Sequence, residues 1–97
     1  MSQEIPALLK LKVVTSKELL VDAETPGVSL PSLDGYIGIL PGHRPLVAAL
    51  GDGEISYTLK QKEIKLEISG GYAEVHSDRV LVFTDRVSKD VDRSDAG

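Results

Sequence analysis

Hydrophobic and polar residues alternate along most of this chain, which is the pattern of half-buried β-strands. In the first clear run, Leu9, Leu11 and Val13 alternate with Lys10 and Lys12. The same period of two continues on both sides of a polar tip, Lys60-Gln61-Lys62, and predicts a β-hairpin there. Each of these strands is therefore expected to turn one face to a core and the other to solvent.

The remaining apolar runs predict further short strands, at residues 19–24, 28–30, 36–39, 46–49, 72–75 and 80–83. Turn-forming residues separate them, namely Pro26-Gly27, Asp34-Gly35, Pro41-Gly42, Gly51-Asp52-Gly53, Gly70-Gly71 and Ser77-Asp78. About ten short strands at this spacing predict an all-β fold, a sandwich or flattened barrel. No helix is predicted before the end of the chain.

The chain divides into one β-domain, residues 1–87, and a polar tail, residues 88–97. The tail is poor in apolar residues and is expected to be a disordered end, or the start of a domain that this chain lacks.

Several strands carry more apolar residues than one buried face needs. Residues 80–83, Val-Leu-Val-Phe, are apolar on both faces. Two interpretations of these additional apolar residues stay open. In the first, loops and strand edges of the same chain cover them; in the second, a partner protein does.

Composition excludes several classes of function. The chain has 97 residues, of which 41% are hydrophobic and 27% charged, as in a soluble globular domain. Its net charge of -4 argues against a nucleic-acid binder, which needs a basic surface. The absence of cysteine excludes disulfides, thiol catalysis and cysteine metal sites. No apolar run approaches the ~20 residues of a membrane-spanning helix.

Residues 35–50, GYIGILPGHRPLVAAL, hold the clearest candidate for a functional surface. Pro41-Gly42 predicts a type II turn, since proline presets φ and glycine tolerates positive φ. The turn would expose His43 and Arg44, and Pro45 would stiffen the chain that follows. A rigid, solvent-facing loop with two polar side chains is suited to contact another molecule.

The sequence nominates no catalytic, metal or cofactor site. Its two histidines, His43 and His76, are far apart and lack metal-ligand spacing. A site formed by both with Glu74 and Asp78 remains an alternative to two independent surface histidines. Gly70-Gly71 precedes a predicted strand instead of a helix, so a bulge or tight turn is favoured over a phosphate-binding loop. An enzyme is not expected.

A lysine at a hairpin tip also occurs in lipoyl and biotinyl carrier domains, which are small β-sandwiches. Lys60 and Lys62 lie at such a tip, but their neighbours lack the acidic or methionine-containing motif of carriers. A free-standing adaptor or carrier module is retained as the alternative function.

Three segments together resemble the ε subunit of F-type ATP synthase, the counterpart of mitochondrial δ. They are LKLKVVTSKELLV, GYIGILPGHRPLVAAL with its Pro-Gly-His signature, and EISGGYAEVHSDRVLVFTDRV with its Ser-Gly-Gly block. They occur in the family's order and with compatible spacing over about residues 8–87. The resemblance implies a ten-stranded N-terminal β-sandwich in a non-catalytic rotor subunit of the central stalk. It also implies two partners, the γ subunit and the polar loops of the c-ring, and a role in coupling ion flow to ATP synthesis.

The resemblance also implies contact residues. The c-ring contacts would be Tyr36, Gly42, His43, Arg44 and Glu74. Tyr36 stands where the family has an acidic residue, which suggests ring stacking or hydrogen bonding in its place. The γ contacts would be Ser69, Gly70 and Gly71 with neighbouring apolar positions.

In the tail, Asp90 and Arg93 match part of a motif with which some ε subunits bind ATP, but both flanks differ. The family's C-terminal helical hairpin is not predicted in this chain, so inhibition and ATP sensing are expected to be missing. Because no transit peptide is predicted, the expected location is the cytoplasmic face of a bacterial inner membrane. The stromal face of a thylakoid membrane is the alternative.

Overall fold

The computed structural model describes residues 6–88, and every regular element in this range is a β-strand. The strands are β1 (Leu9–Val14), β2 (Leu19–Thr25), β3 (Val28–Ser32), β4 (Gly35–Ile39), β5 (Leu46–Leu59), β6 (Lys62–Val75), β7 (Arg79–Phe83) and β8 (Arg86–Ser88). The all-β prediction is confirmed. The hairpin predicted at the polar tip is also confirmed, with Leu59 paired to Lys62 and positive φ at both Lys60 and Gln61.

The strands form one sheet. Seven of them pair in the order β2-β1-β7-β6-β5-β3-β4, and β8 pairs with β6 beside the end of β7. All neighbours are antiparallel except β1 and β7, which run parallel. The outermost strands, β2 and β4, do not pair with each other, so the sheet is not a closed barrel.

The prediction of about ten strands is not confirmed, because residues 6–88 contain eight. Strands β5 and β6 have 14 residues each, and each of them joins two runs that were expected to be separate. Their pairing continues without a change of register from Leu50↔Gly71 to Asp52↔Ser69. The turn predicted around Gly51 and the bulge or turn predicted at Gly70-Gly71 are therefore wrong. Glycine lets this paired ribbon bend without breaking its hydrogen-bond ladder.

The bend folds the sheet over, so that its two halves enclose a core. The first half contains β2, β1 and β7 with the start of β5 and the end of β6, while the second contains β4, β3, β8 and the remainder of β5 and β6. Both halves contribute to one buried cluster: Leu9, Leu11, Val13, Val28, Leu30, Ile39, Leu50, Ile55, Tyr57, Leu66, Ile68, Ala73, Val75, Val80 and Val82.

A buried threonine links the two halves where β2 ends. The hydroxyl of Thr25 donates a hydrogen bond to the Gly27 carbonyl oxygen at 2.9 Å. It accepts another from the backbone N–H of Thr58 on β5 at 3.2 Å. Thr25 has no solvent-exposed surface, so these bonds satisfy a hydroxyl that would otherwise be costly to bury.

The strand register places the connections at two opposite ends of the molecule. The turn end carries residues 26–27, 40–45, 60–61 and 76–78, as shown by the pairs Leu9↔Thr25, Val28↔Ile39 and Val28↔Tyr57. The bend end carries residues 15–18 and 33–34 together with the bends of β5 and β6.

Candidate functional site

The turn at residues 40–45 is held by two backbone hydrogen bonds. The N–H of His43 donates to the Leu40 carbonyl oxygen at 3.1 Å, and Gly42 has φ of +89°. Both features match the predicted type II turn. The N–H of Gly42 donates to the Ser77 carbonyl oxygen at 2.7 Å, which fastens this turn to the turn between β6 and β7. The result is a fixed corner at the turn end.

The two polar side chains of this corner differ in freedom. The Nδ1 of His43 lies 2.7 Å from the Arg44 carbonyl oxygen, so this ring nitrogen carries the hydrogen and donates it. The other ring nitrogen of His43 is then left as an acceptor. The Arg44 side chain is exposed and has no ion-pair partner within residues 6–88. Its guanidinium group is free to bind a carboxylate.

The turn at Ser77-Asp78 was predicted from sequence, but its contact with the corner was not. Residues 76–78 follow the corner by more than 30 positions, and the Leu46↔Val75 pair and the Gly42–Ser77 bond bring them beside it. Asp78 in this turn accepts a hydrogen bond from Arg79 at 3.1 Å. No pattern in the sequence predicts the Gly42–Ser77 contact, because it depends on the pairing of β5 with β6.

Glu74 lies close to the turn end, but on the outer face of the first half-sheet. It pairs with Val47 on one side and Leu81 on the other. It lines a depression of about 500 Å³ together with Lys10, Lys12, His76, Arg79, Val80 and Leu81. Within the described residues Glu74 makes no hydrogen bond or ion pair with His43, so the two are neighbours in the same region without being in contact.

Tyr36 lies at the bend end, away from the corner. It is paired with Pro31 of β3, and its hydroxyl accepts a hydrogen bond from the backbone N–H of Glu54 at 3.0 Å. The rest of β4 separates it from the corner, about 13 Å of extended chain. Tyr36 is therefore apart from the other four expected c-ring contacts, which lie at or near the turn end.

Residues 69–71 make contacts within the chain. The Ser69 hydroxyl donates to Asp52 Oδ1 at 2.9 Å, and the Gly70 carbonyl oxygen accepts from the Thr84 hydroxyl at 2.7 Å. Gly71 passes so close to Phe83 that a side chain at this position would overlap the Phe83 carbonyl oxygen. These residues shape the bend, and the outer face begins immediately after them at Tyr72.

An apolar area, here called the outer patch, covers the first half-sheet. It consists of Val14, Phe83 and Tyr72, which pair in a row across β1, β7 and β6, and of Leu81 and Val47, which flank Glu74 in the next row. The Tyr72 and Phe83 rings stack with centroids 4.9 Å apart. Val47 is 70% exposed.

Other chemistry is sparse in residues 6–88. No group of three or more histidine, aspartate or glutamate side chains is arranged to hold a metal ion. Burial raises the pKa of the Tyr57 phenol, so this group stays neutral at pH 7. No helix in the described range is long and apolar enough to cross a membrane. Asp90 and Arg93, the expected remnant of an ATP motif, lie outside the described residues.

Comparison with known proteins identifies close relatives. Residues 8–90 match the family described as ATP synthase, Delta/Epsilon chain, beta-sandwich domain. An ATP synthase epsilon chain of Koribacter versatilis is 38% identical over 80 residues, which cover 82% of this chain and 56% of that protein. One from Chlorobium limicola is 39% identical over 80 residues, covering 81% of this chain and 91% of that protein. The chain thus spans little more than half the length of the Koribacter relative.

A solved structure shows the same fold. A chain in the mitochondrial ATP synthase of Euglena gracilis, solved as an OSCP/F1/c-ring assembly, aligns with a TM-score of 0.83 and 24% sequence identity. The alignment covers 96% of this chain and 61% of that chain. At this identity the match concerns the fold alone.

Proposed function

This chain belongs to the ATP synthase delta/epsilon family, and from that premise we propose that it is a non-catalytic central-stalk subunit joining γ to the c-ring. Torque generated by ion flow would pass from the c-ring to γ, and this subunit would hold the joint between them. It would be peripheral to the membrane through the complex, at the cytoplasmic face in a bacterium or the stromal face in a plastid. Family membership favours this role over the carrier alternative.

The observation that carries the proposal is the fixed corner at residues 40–45. A joint that transmits torque needs contact groups that do not yield, and the corner is held by the Leu40–His43 and Gly42–Ser77 bonds. It presents Arg44 as a free cation and a His43 ring nitrogen as an acceptor. The polar loops of the c-ring would supply complementary groups. Glu74, beside the corner, would extend this contact onto the outer face.

The second contact would place γ on the outer patch. Stacked Tyr72 and Phe83 form a large, rigid apolar surface, and such aromatic residues are enriched where interfaces bind most strongly. Residues 69–71 lie at its bend-end margin and would be covered with it. The surplus of apolar residues in β7 is explained if γ removes Leu81 and Phe83 from water.

Replacing His43 and Arg44 together by alanine is expected to weaken binding to the c-ring about tenfold. Each exposed polar pair contributes roughly 0.2–1 kcal/mol, so two such contacts lie near the 1.4 kcal/mol that corresponds to this factor. The measurement is affinity of the γ complex of this chain for isolated c-rings. Lys17→Ala, an equal loss of charge at the bend end, is the control. Unchanged affinity of the double variant would remove the corner from the interface.

Replacing Val47 by aspartate is expected to weaken binding to γ at least about 100-fold. The outer patch would then bury an unpaired carboxylate against γ, which costs several kcal/mol. Titration of γ with each variant measures the effect. Leu40→Asp places the same charge on a side chain that is 65% exposed at the turn end, and it should bind γ normally. Equal affinities of the two variants would contradict docking on the outer patch.

A further inference from the structure

We propose that Tyr36 is a positioning residue, whose hydroxyl ties the edge strand β4 directly to β5 and thereby fixes the corner at residues 40–45. The importance of this hydrogen bond for docking on the c-ring rests on the proposed function. The existence of the bond does not depend on that function. Sequence resemblance assigned Tyr36 only an external contact, and its hydroxyl has an internal partner.

The ladder of strand β4 attaches it to the sheet on one side only. It lies at the edge of the sheet, and within residues 6–88 it pairs only with β3. Tyr36 stands opposite Pro31 on that neighbour, and its side chain reaches past Pro31 to the N–H of Glu54 on β5. A single side chain thus connects the edge strand to the second strand inward.

The Tyr36 hydroxyl accepts from the N–H of Glu54 at a point where the β3–β5 ladder is interrupted. The β3–β5 ladder pairs Ser29 with Ser56, then shifts register and resumes at Ser32 and Leu50. Proline in this gap has no N–H and interrupts the ladder. On its other side Glu54 pairs with β6 through Glu67. The tyrosine hydroxyl therefore fills a break in the sheet.

Glycine at position 53 makes room for the bond. A β-carbon there would lie 2.7 Å from both the Tyr36 hydroxyl oxygen and the Pro31 β-carbon, too close for either contact. Tyr36, Pro31 and Gly53 are thus packed against one another, and Pro31 is buried. Tyr36 nevertheless remains 61% exposed, although its hydroxyl is hydrogen-bonded within the chain.

The bond matters for the corner because β4 is then fastened near both ends. Tyr36 holds its beginning to β5, and the Gly42–Ser77 bond holds the chain just beyond its last residue. Since β4 has only five residues, little freedom remains between these two points. Losing the hydroxyl should loosen the strand and pass that motion to the corner.

The test is amide hydrogen exchange, measured by NMR, in the Tyr36→Phe variant, which keeps the ring and removes the hydroxyl. Exchange at Glu54 is expected to become about five- to tenfold faster, the factor that corresponds to one ordinary hydrogen bond. Exchange at Gly42 and His43 should rise at least about twofold. The Thr58 amide, held by Thr25, should be unchanged and serves as the internal reference.

Tyr72→Phe is the matched control, because its hydroxyl makes no hydrogen bond within the described residues. Hydrogen exchange at Glu54, Gly42 and His43 should be the same in this variant as in the unaltered protein.

Unchanged exchange at Glu54 in Tyr36→Phe would show that the Tyr36–Glu54 hydrogen bond does not form. Faster exchange at Glu54 without faster exchange at Gly42 and His43 would show that Tyr36 does not position the corner. A uniform rise in the exchange rates that includes Thr58 would also contradict the positioning role, since it would indicate general destabilisation of the fold. If these exchange results hold while His43/Arg44 substitution leaves c-ring binding intact, the proposed docking fails and the positioning of the corner stands.

Discussion

Replacing Gly71 by alanine is expected to lower the free energy of unfolding by at least about 3 kcal/mol, a large share of the roughly 5–15 kcal/mol that stabilises a small domain. The new β-carbon would overlap the Phe83 carbonyl oxygen and lie 2.8 Å from the Thr84 Cα. Both obstacles are backbone, which cannot rotate aside. Gly71 also has φ of +117°, in a region that side-chain-bearing residues rarely adopt. Urea denaturation followed by circular dichroism measures the loss.

Two other glycines separate the causes of this effect. Gly70 has φ of +72° and open space around its missing side chain, so Gly70→Ala should cost only the backbone strain, about 1–2 kcal/mol. Gly38 has neither obstacle nor positive φ, and Gly38→Ala should change stability by less than about 0.5 kcal/mol. If Gly71→Ala were as mild as Gly38→Ala, the close approach of β6 to the chain after β7 would be wrong.

Replacing Leu11 by alanine is expected to cost about 2.7–5.0 kcal/mol, the range for large cavities in tightly packed cores. Leu11 is fully buried in the middle of β1, between Ala23 of β2 and Val80 of β7. Small domains are stable by only about 5–15 kcal/mol, so this single change would remove a large share. The urea midpoint should fall while the denaturant slope stays constant.

An exposed leucine provides the comparison for Leu11. Leu33 lies in the turn between β3 and β4 and is 70% exposed. Leu33→Ala removes the same atoms without leaving a cavity, and stability should change by no more than about 0.5 kcal/mol. Equal losses at the two positions would show that Leu11 does not lie in the core.

The all-β fold and several of its strands could be predicted from sequence because alternation reports directly which face of a strand is buried. Leu9, Leu11 and Val13 were expected to face a core, and all three are completely buried. The hairpin tip and the Pro41-Gly42 turn were predictable as well, since their geometry is determined by the residues within them.

The strand count could not be predicted, because glycine has the same local signature in a turn and in a bent strand. Gly51 and Gly70 lie opposite each other in a ladder whose register never changes. Whether such glycines end a strand or bend it depends on packing against distant elements, here the passage of the chain at Phe83 beside Gly71. No window of neighbouring residues contains that information.

The candidate site was predictable only in part, for a related reason. The corner is local and was located from Pro41 and Gly42. Its fastening to Ser77 and the bond between Tyr36 and Glu54 join residues 35 and 18 positions apart, which periodicity cannot relate. The resemblance assigned Tyr36 to an external contact, but it could not show which backbone group the hydroxyl would reach.

The parallel pairing of β1 with β7 also determines when this domain can be completed during synthesis. Lys10 lies opposite Arg79, so β1 must wait for β7, which follows it by 69 positions, before the sheet order is complete. Closing so large a loop is entropically costly, and folds dominated by such distant pairings form slowly. Until β7 arrives, one edge of β1 stays open, because the β1–β2 hairpin pairs only its other edge.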